Sequence, residues 1–173
     1  MIENLVKRFR DVAVCSIALA GCASIHGGDP SANSARKSGT ATIVEVLDGD
    51  TIDIRFGGHT ERVRLIGVDT PETKHPSKPV QCYGYEASEF TAGALPVGTQ
   101  VRVERDVEAR DVYDRLLAYI FRLSDDLFIN SQLLRQGYAR VLTIEPNTAY
   151  LSEFVAAANE AKENSLGLWQ ACR

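Results

Sequence analysis

From Thr40 onward, apolar and polar positions alternate around two turn signals. Ile43, Val46 and Leu47 precede Asp48-Gly49-Asp50, and Ile52, Ile54 and Phe56 follow it at a period of two. That period belongs to a strand with one face in a core, and Asp-Gly favours a hairpin turn. The pattern therefore predicts a strand, a tight turn and a second strand. Gly57-Gly58-His59 is another turn signal, after which Val63, Leu65 and Val68 fall on one side and Arg62, Arg64 and Ile66 on the other. Residues 40–68 thus predict a three-strand meander. It runs into "GVDTPET", Gly67 to Thr73, where Pro71 pushes Thr70 toward extended geometry. A strand here meets a rigid corner that carries two carboxylates, Asp69 and Glu72.

The next stretch, "TKHPSKPVQC", reads as a polar loop. Tyr85 to Leu95 predicts a helix, "QVRVERDVE" a strand and the apolar run "LLAYIFRL" a buried strand. "INSQLLRQG" predicts a short helix closed by Gly137, and "YARVL" a short extended piece. Apolar or small residues at 150, 151, 154, 155, 158 and 161 have helical spacing, with Asn147 or Thr148 as cap and Gly167 as stop. Trp169 reads as packing. Strands first, then mixed helices and strands, predict an α+β fold: a small five-stranded barrel with helices attached.

The first residues do not fit that fold. Lys7, Arg8 and Arg10 precede a run from Val12 to Cys22 that is apolar or small, the order of an export signal and too short to span a bilayer. "LAGC", Leu19 to Cys22, resembles a bacterial lipoprotein lipobox, which implies lipidation at Cys22 and a membrane anchor. Residues 23–38 are small and polar and predict a flexible linker. The organisation expected is a signal peptide over 1–22, a linker over 23–38 and a folded domain over 39–173, exported to the cell envelope. The chain has 19 Lys+Arg against 23 Asp+Glu; without residues 1–22 the balance is 16 against 21, a net charge of −5. That is the wrong sign for binding nucleic acid by bulk charge, so any phosphate binding must be local. Of four cysteines, Cys82 and Cys172 lie in the folded part. An oxidising compartment favours one disulfide between them, contributing about 4–5 kcal/mol in the chain-entropy view; two unrelated thiols are the alternative.

Asp48, Asp50, Arg64, Asp69, Glu72 and Arg115 are charged residues at turns or inside apolar strands. Singly, each has an ordinary explanation: Asp-Gly is usually a hairpin turn, and an arginine on a half-buried strand usually faces water. Together they are hard oxygen donors suited to calcium, completed by a backbone carbonyl and waters. To these are added a carboxylate that could orient or deprotonate water and two planar forks for phosphate oxygens. No cysteine–histidine pattern for zinc is present.

"DGDT", "RLIGVDTPETKHP", "YGYEAS", "YDRLLAYIF" and "RQGYARV" resemble the staphylococcal nuclease family, in its order and near its spacing, across roughly residues 39–170. The resemblance implies a five-stranded OB-fold β-barrel with three α-helices. It also implies one Ca²⁺ and endonucleolytic cleavage of DNA and RNA to 3′-phosphate products, by a protein expected to be monomeric. By position, Asp50 and Asp69 resemble the metal carboxylates, Thr70 the carbonyl ligand, Glu72 the general base, and Arg64 and Arg115 the phosphate arginines. Asp48 matches an acid beside the metal, and Tyr113 a tyrosine near a substrate phosphate. Departures are Val112 where a basic residue is common, Asp114 where glycine is frequent, and "LTIEPN" without tyrosines that stack on a base. Since stacking contributes about 1–3 kcal/mol per base, weak substrate binding with little base preference is expected. The competing reading is a catalytically inactive nucleic-acid-binding OB module, and a third is a calcium-stabilised envelope scaffold; fold alone separates none of these.

Overall fold

The computed structural model describes residues 38–74, 77 and 79–172. The signal segment, Cys22, nearly all of the linker and His75 lie outside the described residues. The meander is present as β1 (Ser38–Asp48), β2 (Thr51–Phe56) and β3 (His59–Leu65), paired antiparallel in sequence order. On the other side of β1 lies β5 (Gln100–Glu104), followed by β6 (Leu116–Arg122). β6 then pairs with β3 in parallel, with Val63 opposite Leu116 and Leu65 opposite Ala118. That pairing closes a five-stranded barrel and leaves no open edge among its strands. The fold is the α+β OB type expected.

A second, two-stranded sheet joins β4 (Gly67–Asp69) to β8 (Arg140–Leu142), with Asp69 opposite Arg140. The remaining elements are α1 (Gly84–Ala94), the two-residue β7 (Leu127–Phe128), α2 (Ile129–Arg135), α3 (Leu151–Glu163) and the short α4 (Leu168–Ala171). Ile43, Ile52, Ile54, Val63, Leu65, Val101 and Val103 fill the barrel interior. Every residue from Leu116 to Phe121 is buried, because helices cover the outer face of β6.

The alternation read for β3 fails at its end. Val63, Arg64, Leu65, Ile66 and Val68 are all buried, and Gly67 breaks the period at φ +81°. A Cβ on Gly67 would collide with the ring of Phe154 on α3, so only glycine lets β4 lie against that helix. Asn147 does not cap the last helix. Its amide instead bonds the Glu108 backbone in both directions, at 2.7 and 3.0 Å, and the helix starts at Leu151. Nor does Gly167 end that helix: α3 stops at Glu163, Ser165 takes the left-handed conformation, and Gly167 precedes α4. β5 stops at Glu104, beyond which Asp106 accepts bonds from Tyr119 Oη–H and the Ala149 N–H.

Candidate active site

Four pieces of backbone meet at one end of the barrel: the β1–β2 turn, the end of β3, the corner after β4 and the start of β6. Asp48, Asp50, Arg64, Asp69, Thr70, Glu72 and Arg115 line one open cavity of about 360 Å³ there, with Leu47, Thr51, Lys74 and Gln81 completing its wall. Tyr113 is outside it. It is 77% exposed and lines an adjoining cavity of about 490 Å³ that shares Arg64 and Arg115. Leu142 and Ile144 of "LTIEPN" line that second cavity, so aliphatic side chains stand where the resemblance implies aromatic ones.

The turn is held from several sides. Asp50 C=O accepts the Leu65 N–H at 2.9 Å, which ties it to β3. Gly49 C=O accepts Thr91 Oγ1–H at 2.7 Å, which ties it to α1. Gly49 itself packs against Thr70, whose side-chain atoms would lie within 2.8 Å of an added Cβ. Asp50 Oδ2 accepts the Thr70 N–H at 3.0 Å, so the turn and the proline corner are stitched directly together. Asp48 Oδ1 accepts the Gly49 N–H at 2.8 Å and Thr73 Oγ1–H at 3.0 Å. These bonds fix the acids before any ligand arrives.

Arg64 is buried and makes four polar contacts. Nη1–H donates to Leu65 O at 2.9 Å and to Val68 O at 2.6 Å. Nη2 lies 3.1 Å from Asp50 Oδ2 and 3.2 Å from Asp69 Oδ1. The two carboxylates, from different strands, thus converge on one positive charge. Arg115 donates through Nε to Asp111 at 2.7 Å, and its guanidinium lies 5.3 Å from the Tyr113 ring centre. The turn before it, 111–114, places Asp114 at φ +63°, which explains why glycine suits this position and aspartate is tolerated there.

Electrostatics follow from this crowding. Burial, then a hydrogen bond shared with Glu72, pushes the Asp48 carboxyl above the ordinary carboxylate range. Partial desolvation also raises Asp69, aided by Asp50 and Glu72 and only partly offset by Arg64. For Asp111, desolvation is outweighed by bonds from Arg115 and Tyr113, and its carboxyl falls below the usual range. Asp48 and Asp69 are thus both harder to ionise than free carboxyls, chiefly because they are partly withdrawn from water.

No group of three or more His, Cys, Asp or Glu side chains with metal-holding spacing occurs among the described residues. A hard-cation site here would rest on two carboxylates, Asp50 and Asp69, and the Thr70 carbonyl, with water supplying the rest; that donor set fits an oxygen-seeking divalent ion. Sequence reasoning missed Thr73, Gln81, Thr91, Asp111 and Asn130. Asn130 is buried on α2 and joins Ile66 O (2.8 Å) to the Ile120 N–H (3.0 Å), bracing the β3–β4 junction against β6. Asn130 stands in a run of three polar residues, Asn130 to Gln132, so nothing local singled it out.

Residues 62–171 match the family described as staphylococcal nuclease homologue. The chain is 46% identical over 128 residues to a thermonuclease of Staphylococcus intermedius, covering 74% of each chain. It is 40% identical over 130 residues to a thermonuclease of Staphylococcus hyicus, covering 75% of each. It is also 38% identical to an endonuclease of Bacillus subtilis, covering 82% of this chain and 67% of that one.

Proposed function

The chain belongs to the staphylococcal nuclease family and is a nuclease, and we propose that it is a Ca²⁺-dependent endonuclease that hydrolyses DNA and RNA to 3′-phosphate products. The observation that carries this reading is the convergence of three aspartates, the corner carboxylate of Glu72 and two arginines on one cavity. Asp50, Asp69 and the Thr70 carbonyl would hold the ion, with Asp48 beside them. The ion would supply charge neutralisation at the phosphate.

The remaining chemistry falls to the chain's own groups. Glu72, at the cavity wall, orients a water and takes its proton as the oxygen attacks phosphorus. The P–O5′ bond breaks, the phosphoryl group stays on the 3′ oxygen, and the 5′ oxygen leaves as a hydroxyl after taking a proton from solvent. Arg64 and Arg115 stabilise the charge that spreads over the non-bridging oxygens. Tyr113 flanks a neighbouring phosphate. Digestion of a defined oligonucleotide across a metal series, with mass analysis of the ends, tests this. The expected result is cleavage with Ca²⁺ and 3′-phosphate ends. Products with 5′-phosphate, or DNA binding without cleavage in any divalent metal, would overturn it; the latter would favour an inactive OB module.

The leading segment supports a further part of the proposal: export, lipidation at Cys22, cleavage just before it so that Cys22 becomes the first residue, and a membrane-tethered monomeric domain. Mass spectrometry of the mature N-terminus tests it, and an unmodified Cys22 would refute the anchor.

A further inference from the structure

Glu72 lies in no regular element. It follows Pro71, after β4 has ended, and the first turn of α1 begins only at Gly84. Its backbone is nonetheless gripped on both sides by one residue. The Glu72 N–H donates to Gln81 Oε1 at 3.1 Å, and the Gln81 N–H donates to Glu72 O at 3.0 Å. The pair imitates a two-bond strand bridge, with the Gln81 amide standing in for a backbone carbonyl.

A bridge of two exposed bonds needs its far side held, since water competes for each. Two features hold it. The Gln81 C=O accepts the Gly84 N–H at 3.0 Å, which docks it to the start of α1. The next residue, Cys82, is joined to Cys172, ninety positions along the chain, with 5.8 Å between Cα atoms. Cys172 is the residue that closes α4, and α4 is anchored by buried Leu168, whose N–H donates to Gly137 O at 2.8 Å. A covalent path thus runs from the packed helical side of the domain to the residue that grips Glu72.

We propose that Gln81 is a positioning residue for Glu72, and that the Cys82–Cys172 disulfide keeps Gln81 in place. Gln81 itself does no chemistry. It fixes where the Glu72 carboxylate stands relative to the acids of the β1–β2 turn, and a misplacement of about 1 Å at such a group is enough to cost a hundredfold in rate. The inference rests on Glu72 acting on the attacking water.

The test is steady-state cleavage of a single-stranded oligonucleotide in saturating Ca²⁺ by Gln81→Ala, Gln81→Glu, the paired Cys82→Ser/Cys172→Ser variant and Glu72→Gln. Gln81→Ala is expected to lose at least tenfold in kcat with KM unchanged. Gln81→Glu, which keeps an acceptor at Oε1, should recover most of that loss. The cysteine pair should lose kcat in the same sense, with circular dichroism confirming the fold. On a Glu72→Gln background Gln81→Ala should cost nothing more. Wild-type kcat in Gln81→Ala, an equal loss on the Glu72→Gln background, or full kcat in a folded cysteine pair would overturn the proposal. If Glu72→Gln alone keeps wild-type kcat, the role assigned to Glu72 fails instead, and the two failures are distinct. Gln81→Ala retains the disulfide and changes one exposed side chain, so the test stands even if the cysteine pair fails to fold.

Discussion

Arg64 is expected to serve both the fold and the reaction, and Arg64→Gln separates the two. The Arg64 side chain is only 9% exposed and that of its partner Asp50 11%, whereas that of Asp69 is 56% exposed. Removing one member of a buried pair costs about 3–5 kcal/mol, because the partner is left charged and dry. Here the cost falls at the lower end. Asp50 keeps the Thr51 Oγ1–H and Thr70 N–H bonds, and Asp69 keeps water. The expected loss is about 3 kcal/mol, or roughly 10 °C in Tm for a domain of this size. It is measured by urea denaturation in chelator.

Calcium then gives a second reading. An ion shared by Asp50 and Asp69 would take up the charge that Arg64 now balances. Saturating Ca²⁺ at 100 times Kd adds about 2.7 kcal/mol to any protein that binds it only when folded. The increment should be larger in Arg64→Gln than in wild type at the same free Ca²⁺, because no guanidinium repels the ion. An unchanged urea midpoint in chelator would refute the structural role. Equal calcium increments in the two proteins would refute the shared pair of carboxylates.

Arg115 offers the contrast: its side chain is 28% exposed and bonds one carboxylate, so Arg115→Lys should move stability by less than about 1 kcal/mol while cutting kcat at least a hundredfold. Because Asp48 and Asp69 are raised, the metal-free native state holds protons that the unfolded chain has released, so their contribution to stability falls as pH rises above about 4. Asp69→Asn should therefore be as stable as wild type or slightly more so in chelator at pH 7; screening of this half-exposed group keeps the gain under about 1 kcal/mol, and the gain should vanish near pH 4. Asp111 has the opposite sign: its depressed carboxyl stabilises above the ordinary range and loses that contribution as pH falls, which Asp111→Asn would expose in acid denaturation curves. Gly67→Ala forces a Cβ at positive φ into Phe154 and should cost about 2–4 kcal/mol, read from the urea midpoint.

Much of the frame was legible because its signals are local. Period-two alternation marked β1, β2 and β3, and the proline corner marked where the chain leaves β4. The misreadings share a cause, which is contact between residues far apart in sequence. Arg64 was singled out for the site by the charged residues around it, yet the alternation of its strand gave no sign of the buried nest of two carbonyls and two carboxylates that it enters. Asn147 had the chemistry of a cap, but the Glu108 backbone offers it two bonds where a helix start offers one. Thr91 and Asn130 steady the site through carbonyls 42 and 64 positions away, and no periodicity along one helix encodes such a partner. Charge type and order in "DGDT" and "VDTPET" carried the candidate site; which residues brace it could be seen only once the barrel had closed.

The central claim is that the cavity at the β1–β2 turn hydrolyses phosphodiesters with a divalent ion and Glu72. It is tested most directly by digesting single-stranded DNA with residues 23–173, in Ca²⁺ and in chelator, beside Glu72→Gln. Cleavage that disappears in chelator and falls by at least a hundredfold in Glu72→Gln is the result expected. Cleavage that persists in chelator, or a Glu72→Gln protein as fast as wild type, would contradict it.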